Sequence, residues 1–254
     1  MNNKRSITEK LSKSKTVFGL WNTYPAPGII EGMCPGWDFV LIDGQHGEHT
    51  YDSILSACRT AENMGVQVII RVPINTSDQI GRYADIAPSA LMIPMVNTGD
   101  DAKNAADAGC FPPVGNRSFG GRRVIDITGR NYYTEKSPFI IAQIETMEGA
   151  ENCEAIIGTA GIDCLMFGPD DMKVQLGIPV GEDPLENSRI RKLMEKTALA
   201  AERAGKYAAC IAGNPDTVRT VTEMGYRIFI SGSDSAFLRS ASEDKLKILR
   251  STAD

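Results

Sequence analysis

The stretch "FVLIDGQHGEHTYDS", residues 39–53, decides how the rest of the chain is read. Four apolar residues, Phe39 to Ile42, follow one another without alternation, the pattern of a strand covered on both faces. The run ends directly on Asp43, and Gln45 and His46 come next. Charge at the end of a buried strand is costly unless that end opens onto water or a ligand. The stretch therefore asks for a buried parallel sheet whose strand ends face a site.

Working outward, the same unit repeats. Apolar runs at 17–21, 39–42, 66–72, 90–96, 139–145, 164–167, 207–212 and 227–231 are candidate strands. Helical patterns lie between them. Residues 51–64 carry Ile54, Leu55, Ala57, Cys58 and Ala61 near the 3.6-residue period. Residues 186–204 form the longest candidate helix, with Gly205 as its stop. Gly65, Gly109 and Gly225 sit at similar junctions. Strand–helix alternation implies a parallel sheet, and eight strands in 254 residues suit a closed (β/α)8 TIM barrel forming a single α/β domain over 1–254. Residues 1–15 read as a lead-in helix. An open doubly wound sheet would carry a glycine-rich phosphate turn after its first strand, and "GLWNTYPAPG" at 19–28 is not one.

The formal net charge of −5 argues against a nucleic-acid partner, while leaving room for small anions held by a local field. Six cysteines include no C-x-x-C pair, so neither a zinc knuckle nor a disulfide framework is expected, and a reducing cytoplasm is. The polar, basic opening has no apolar core of a secretory signal, and no apolar run is long enough for a membrane helix. The segment 109–137, "GCFPPVGNRSFGGRRVIDITGRNYYTEKS", breaks the rhythm, as functional or disordered loops do.

In such a barrel the site lies at the carboxyl ends of the strands. Those ends supply Asp43, Gln45 and His46, then Arg71, then Gln143 and Glu145, then Asp170 and Asp171. Carboxylates from neighbouring strands repel unless a cation or a proton separates them, and an all-oxygen pair suits Mg²⁺ or Mn²⁺. An Asp43–His46 pair could orient a general base, and Arg71 could stabilise an oxyanion. Singly, each has a plainer role: His49 as a hydrogen-bonded loop residue, Arg71 as an ion-pair partner, Glu145 as a helix cap. Lysine-based Schiff chemistry fits poorly, since Lys206 precedes its strand and Lys173 is expected on a short surface helix. "SGSDS" at 231–235 reads as a phosphate turn or, better, as a helix cap by Ser233 or Asp234.

The motifs "DFVLIDGQHG", "IIRVP", "LMIPMVNT", "FPPVGNRSFG", "IAQIET" and "FGPDDM" together resemble the HpcH/HpaI class II pyruvate aldolases, which include 4-hydroxy-2-oxoheptanedioate and 2-dehydro-3-deoxyglucarate aldolases. The resemblance implies Glu145 and Asp171 as metal ligands for Mg²⁺, Mn²⁺ or Co²⁺. It implies Gln143 beside them, Arg71 on the keto oxygen, and His46 with Asp43 as the acid/base pair. It also implies Asp85 anchoring metal-bound water and the turn Gly168–Pro169–Asp170–Asp171 receiving the keto acid's carboxylate. Arg117, Arg122 and Arg123 are candidates for a distal carboxylate of the aldehyde or for a subunit contact. Two positions depart from the family: Gln45 stands where a glutamate is usual, and Asp170 where a small residue is usual. The implied activity is reversible cleavage of a 4-hydroxy-2-oxo acid to pyruvate and an aldehyde, by a homo-oligomer, hexameric in the family with helices exchanged between neighbours. Condensation of an enolate with oxaloacetate, oxaloacetate decarboxylation, and a non-catalytic keto-acid-binding barrel are the competing readings.

Overall fold

The computed structural model describes residues 7–14, 16–134 and 137–252. Eight strands close into a barrel in chain order, each parallel to the next, with the eighth returning to the first. They are β1 (Val17–Asn22), β2 (Phe39–Asp43), β3 (Gln67–Arg71), β4 (Ala90–Ile93), β5 (Phe139–Ile144), β6 (Cys164–Phe167), β7 (Tyr207–Ile211) and β8 (Ile228–Ser233). The helices are α1 (Ile7–Ser14), α2 (Pro27–Met33), α3 (Tyr51–Asn63), α4 (Ser77–Ala84), α5 (Gly99–Gly109), α6 (Arg122–Thr128), α7 (Met147–Glu151), α8 (Cys153–Gly158), α9 (Pro169–Gln175), α10 (Ser188–Arg203), α11 (Pro215–Met224) and α12 (Asp234–Ser251). All eight candidate strands are present. The fourth is shorter than its apolar run because Pro94 has no N–H to donate and Met95 turns to φ 54. The expected lead-in helix is seen as α1, and residues 1–6 and 15 of it lie outside the described residues.

Side chains alternate across the strands, giving two cores. Val40, Ile42, Val68, Ile70, Leu91, Ile93, Leu165 and Phe167 face outward and pack under the helices. Val17, Phe39, Leu41, Ile69, Met92, Phe139, Ile141, Cys164, Met166, Ile228 and Ile230 fill the bore. Each large side chain fully removed from water there contributes roughly 1.5–3 kcal/mol. Gly19 makes this filling possible, since a Cβ on it would lie 2.2 Å from the Phe39 ring. Ile7 and Leu11 of α1 join the same cluster and stopper the bore at its amino end.

Hydroxyl caps start several helices: Thr50, Thr98 and Thr146 each accept an N–H from the first turn of the adjoining helix. Gly205 and Gly225 take positive φ just beyond the ends of α10 and α11, as the sequence requires. Gly109 instead closes α5 without one, pressed so near Ile140 that a Cβ would meet it at 2.6 Å. The segment 109–137 is ordered over its described residues by α6 and a small cluster of Phe111, Val124 and Tyr132. All six cysteines are free and buried. Among the described residues no helix is long and apolar enough to cross a membrane.

Candidate active site

The inward series of each strand continues past the apolar filling into polar residues. Phe39 and Leu41 lead to Asp43, Ile69 to Arg71, and Phe139 and Ile141 to Gln143 and then Glu145. Period-two alternation thus turns five separate sequence positions, Trp21 included, toward one mouth.

Asp43 and Arg71 sit side by side across the β2–β3 pairing and are buried, 1% and 5% exposed. Arg71 grips the carboxylate with two bonds, Nε to Oδ1 at 2.8 Å and Nη2 to Oδ2 at 2.7 Å. The Trp21 indole N–H donates to Oδ2 at 3.0 Å, and the guanidinium lies 4.5 Å from the Trp21 ring centre. Burial alone would raise the Asp43 pKa, but the bonds and charge of Arg71 hold it below the usual range. The result is a fixed, flat guanidinium. Deleting either partner would strand a buried charge, at a cost of about 3–5 kcal/mol.

His46 is exposed, and among the described residues its ring has no hydrogen-bond partner. The expected Asp43–His46 side-chain pair is therefore not formed. Asp43 Oδ1 instead accepts the backbone N–H groups of Gln45 at 3.0 Å and His46 at 3.2 Å. Its remaining capacity is taken by Arg71 and Trp21, so it fixes the loop and not the imidazole.

Glu145, one residue past β5, is 2% exposed. Thr146 caps α7, so the capping role open to Glu145 falls to its neighbour. Its Oε1 accepts the Met95 N–H at 2.7 Å and its Oε2 the Gln143 side-chain amide at 2.6 Å. Burial and the nearby Asp171 carboxylate raise its pKa from 4.5 to about 7, against the opposing Met95 N–H and Arg71. Asp171 stands exposed in the first turn of α9, close enough to share a hydrogen bond with it. The Gln143 and Gln45 side-chain carbonyl oxygens are buried without a partner. Among the described residues no three His, Cys, Asp or Glu side chains converge as a metal cage. Two carboxylates short of positive charge, with an orphaned amide oxygen beside them, fit a hard cation that keeps water or substrate on its other positions. Gly168 keeps this space open, because a Cβ there would come within 3.2 Å of both Gln143 and Glu145.

The turn at 168–171 offers fewer donors than expected. The Gly168 N–H is bonded to the Ile144 carbonyl at 2.9 Å, and Pro169 has none. Only the Asp170 and Asp171 amides, in the first turn of α9, remain for a carboxylate. Lys173 is not on the surface: it is 3% exposed, with Nζ on the Val180 carbonyl at 2.9 Å and on Asp170 at 3.3 Å. It partly neutralises the extra carboxylate that Asp170 brings to the mouth.

Four expected contributors stand elsewhere. Asp85 caps the far end of α4, ahead of β4, and Arg117 lies between α5 and β5. Both belong to the amino-end side of the barrel, where they pair with each other at 2.7 Å. Within this chain Asp85 is not beside the Glu145–Asp171 pair, and Arg117 does not face the same mouth. Arg122 pairs with Asp126, and Arg123 with Glu62 and the Ile86 carbonyl. A helix running back from one mouth delivers the next residues of the chain to the other, so chain order alone would have located these four. Conversely, Trp21 and Met95 were missed. Trp21 was legible as the inward residue that ends β1. Met95 acts through its backbone, and nothing in the sequence marks that.

In "SGSDS" Ser233 is the cap, accepting the Ala236 N–H at 3.1 Å. His49 is indeed hydrogen-bonded, to Asn22 Oδ1 at 3.0 Å and Ser53 Oγ at 3.1 Å, and burial lowers its pKa.

A stoppered barrel with an acidic pair, a clamped guanidinium and an imidazole at its open mouth has the layout of an enzyme active site. Comparison with known proteins agrees. Residues 18–241 match the family model HpcH/HpaI aldolase/citrate lyase, and the chain belongs to this family of carbon–carbon lyases. It is 32% identical over 251 residues, 95% of this chain and 93% of the other, to a 4-hydroxy-2-oxovalerate aldolase of Novosphingobium aromaticivorans. It is 28% identical over 249 residues, 96% and 92% of the two chains, to a 2-keto-3-deoxy-L-rhamnonate aldolase of Shigella sonnei (strain Ss046). The crystal structure of a family protein from Burkholderia cenocepacia J2315 superposes with a TM-score of 0.86 at 26% identity, covering 96% of this chain and 98% of that one.

Proposed function

We propose that the chain is a divalent-metal-dependent class II aldolase, cleaving a 4-hydroxy-2-oxo acid between C3 and C4 to pyruvate and an aldehyde, and forming the same bond in reverse. One observation carries the reading: Glu145, its pKa lifted to about 7 beside Asp171, sits with Arg71 at one mouth of the barrel. The acid pair has too little positive charge for two ionised carboxylates. The aldolase relatives support the substrate class. Glu145 and Asp171 would hold Mg²⁺, Mn²⁺ or Co²⁺, with Gln143 and Gln45 lending neutral amide oxygens nearby. When bound, such an ion supplies Lewis-acid polarisation of the 2-oxo group.

The protein's own groups do the rest. The Asp170 and Asp171 amides receive the keto acid's carboxylate. Arg71, held in position by Asp43 and Trp21, shares the negative charge that develops on the 2-oxo oxygen. His46, its ring unbonded among the described residues, takes the 4-hydroxyl proton directly or through water. The O–H pair becomes the aldehyde carbonyl, the C3–C4 pair passes to the pyruvate fragment as its enolate, and a proton then returns to C3.

We also read the chain as cytoplasmic, from its six free cysteines, and as a homo-oligomer. Phe237, Leu238, Leu246, Ile248 and Leu249 of α12 are exposed, an apolar surface that a neighbouring copy would cover.

Chelation tests the proposal. EDTA should abolish pyruvate release from 4-hydroxy-2-oxovalerate, and added Mn²⁺, Mg²⁺ or Co²⁺ should restore it. Full turnover after exhaustive chelation would contradict the metal assignment. Mass analysis of products from pyruvate, oxaloacetate and acetyl-CoA separates aldol cleavage from citrate-type condensation and from decarboxylation. Metal-dependent exchange of pyruvate methyl protons in D₂O excludes a barrel that only binds keto acids.

A further inference from the structure

Asp234 is 0% exposed, yet no cation is among its hydrogen-bond partners. Five donors compensate its charge. Oδ2 accepts the Asn22 side-chain amide at 2.8 Å and the backbone N–H groups of Thr23 and Tyr24 at 2.9 Å each. Oδ1 accepts the Thr23 hydroxyl at 2.7 Å and the Ser235 N–H at 2.8 Å. Helix capping does not explain this, since Ser233 already caps α12. Four of the five donors lie on the corner just after Trp21, more than two hundred residues away in sequence. A buried carboxylate bonded to this extent makes a rigid joint.

That corner in turn holds the loop of His46. The Thr23 carbonyl accepts the Glu48 N–H at 2.9 Å. Asn22 Oδ1 meets the His49 ring at 3.0 Å. At its other end the loop is fixed by Asp43, through the Gln45 and His46 N–H groups. Gly47 is wedged between the two anchors, where a Cβ would lie 2.4 Å from the Asp43 carbonyl oxygen and 3.2 Å from that of Thr23. Because the His46 ring has no hydrogen-bond partner among the described residues, the path of its backbone sets where the imidazole stands.

We infer that Asp234 is a positioning residue for His46, acting through Thr23 and the 44–48 loop. The inference rests on the proton-transfer role proposed for His46. Misplacing a catalytic group by about 1 Å can cost on the order of 100-fold in rate.

The test is a double-mutant cycle on the metal-loaded enzyme, with 4-hydroxy-2-oxovalerate as substrate. In Asp234→Asn an NH₂ group faces donors whichever way the amide turns. Its kcat should fall about 10–100-fold, with KM changed by no more than about threefold. In a His46→Ala background the same substitution should have no further effect. Thr23→Val removes only the hydroxyl bond and keeps both backbone bonds. Its kcat should fall about 3–10-fold in the wild type and not at all without His46. If Asp234→Asn does not fold, the Thr23→Val cycle decides the question by itself. A kcat within twofold of wild type, or losses that multiply in the double variants, would overturn the inference. Wild-type turnover in His46→Ala alone would instead overturn the reading of His46, and the two failures are distinguishable.

Discussion

The two ends of the barrel treat charge differently. At the amino end, charged groups are matched. Lys10 pairs with Asp38 at 3.0 Å, Asp85 with Arg117 at 2.7 Å, Arg123 with Glu62, and Lys206 binds the carbonyls of Ile157 and Thr159. At the carboxyl end, Asp43 pairs with Arg71 and Asp170 with Lys173. Glu145 faces a like charge, and the side-chain oxygens of Gln45, Gln143 and Ser231 are buried without partners. The exception at the amino end, Arg117 Nε, lies in a guanidinium stacked 5.0 Å from the Phe111 ring. Both ends are polar, so polarity does not separate them. Unmatched hydrogen-bonding capacity does: it gathers at the carboxyl end, as at sites that a ligand completes.

The largest effect that should sharpen this contrast is at His46. His46→Ala should lower kcat by about 100- to 10,000-fold. Because the side chain is exposed and its ring unbonded, the melting temperature should stay within experimental error of wild type. A comparable loss of thermal stability would mean that the imidazole has a structural role.

A smaller effect of another kind is expected at the amino end. Asp85→Ala leaves Arg117, whose side chain is 4% exposed, without its carboxylate. It should cost about 1–3 kcal/mol in denaturant unfolding. Turnover per folded molecule should hold in this chain's own site. A drop in turnover at unchanged stability would break the contrast, and would mean that the pair reaches the open mouth of a second copy.

The mildest expectation concerns pH. In the metal-free protein Glu145 keeps its proton to about pH 7, whereas an unfolded glutamate releases it near 4.5. Between those values the native state binds more protons than the unfolded state. This side chain's contribution to stability is therefore greatest below 4.5 and falls as pH rises toward 7. Thermal melts from pH 4.5 to 7 should show that decline relative to Glu145→Gln, which lacks the titration. Parallel curves for the two proteins would remove Glu145 as its source.

Much of this was legible beforehand, for identifiable reasons. Strands buried on both faces announce themselves as short apolar runs, and each of the eight was found within a few residues. The polar residues that end those runs, Asp43, Arg71, Gln143 and Glu145, reach one mouth because alternation fixes their direction. Pairing inside the site was not legible. Asp43 lies three residues from His46 in sequence, yet its side chain bonds Arg71 from the next strand, because strand register outranks sequence proximity. Lys173 looked superficial because a short helix after a strand usually is, and only packing against 178–180 buries it. The Met95 N–H and the Asp234 joint depend on backbone paths that no residue type encodes.

One feature of the bore constrains the order of events. With Ile7 and Leu11 seated among the inward side chains, the described residues fill the bore at its amino end. Whatever reaches the floor of the site must arrive before, and depart after, anything lying above it. An aldol pair stacked in that well, keto acid below and aldehyde above, would follow compulsory-order kinetics: keto acid first in, aldehyde first out.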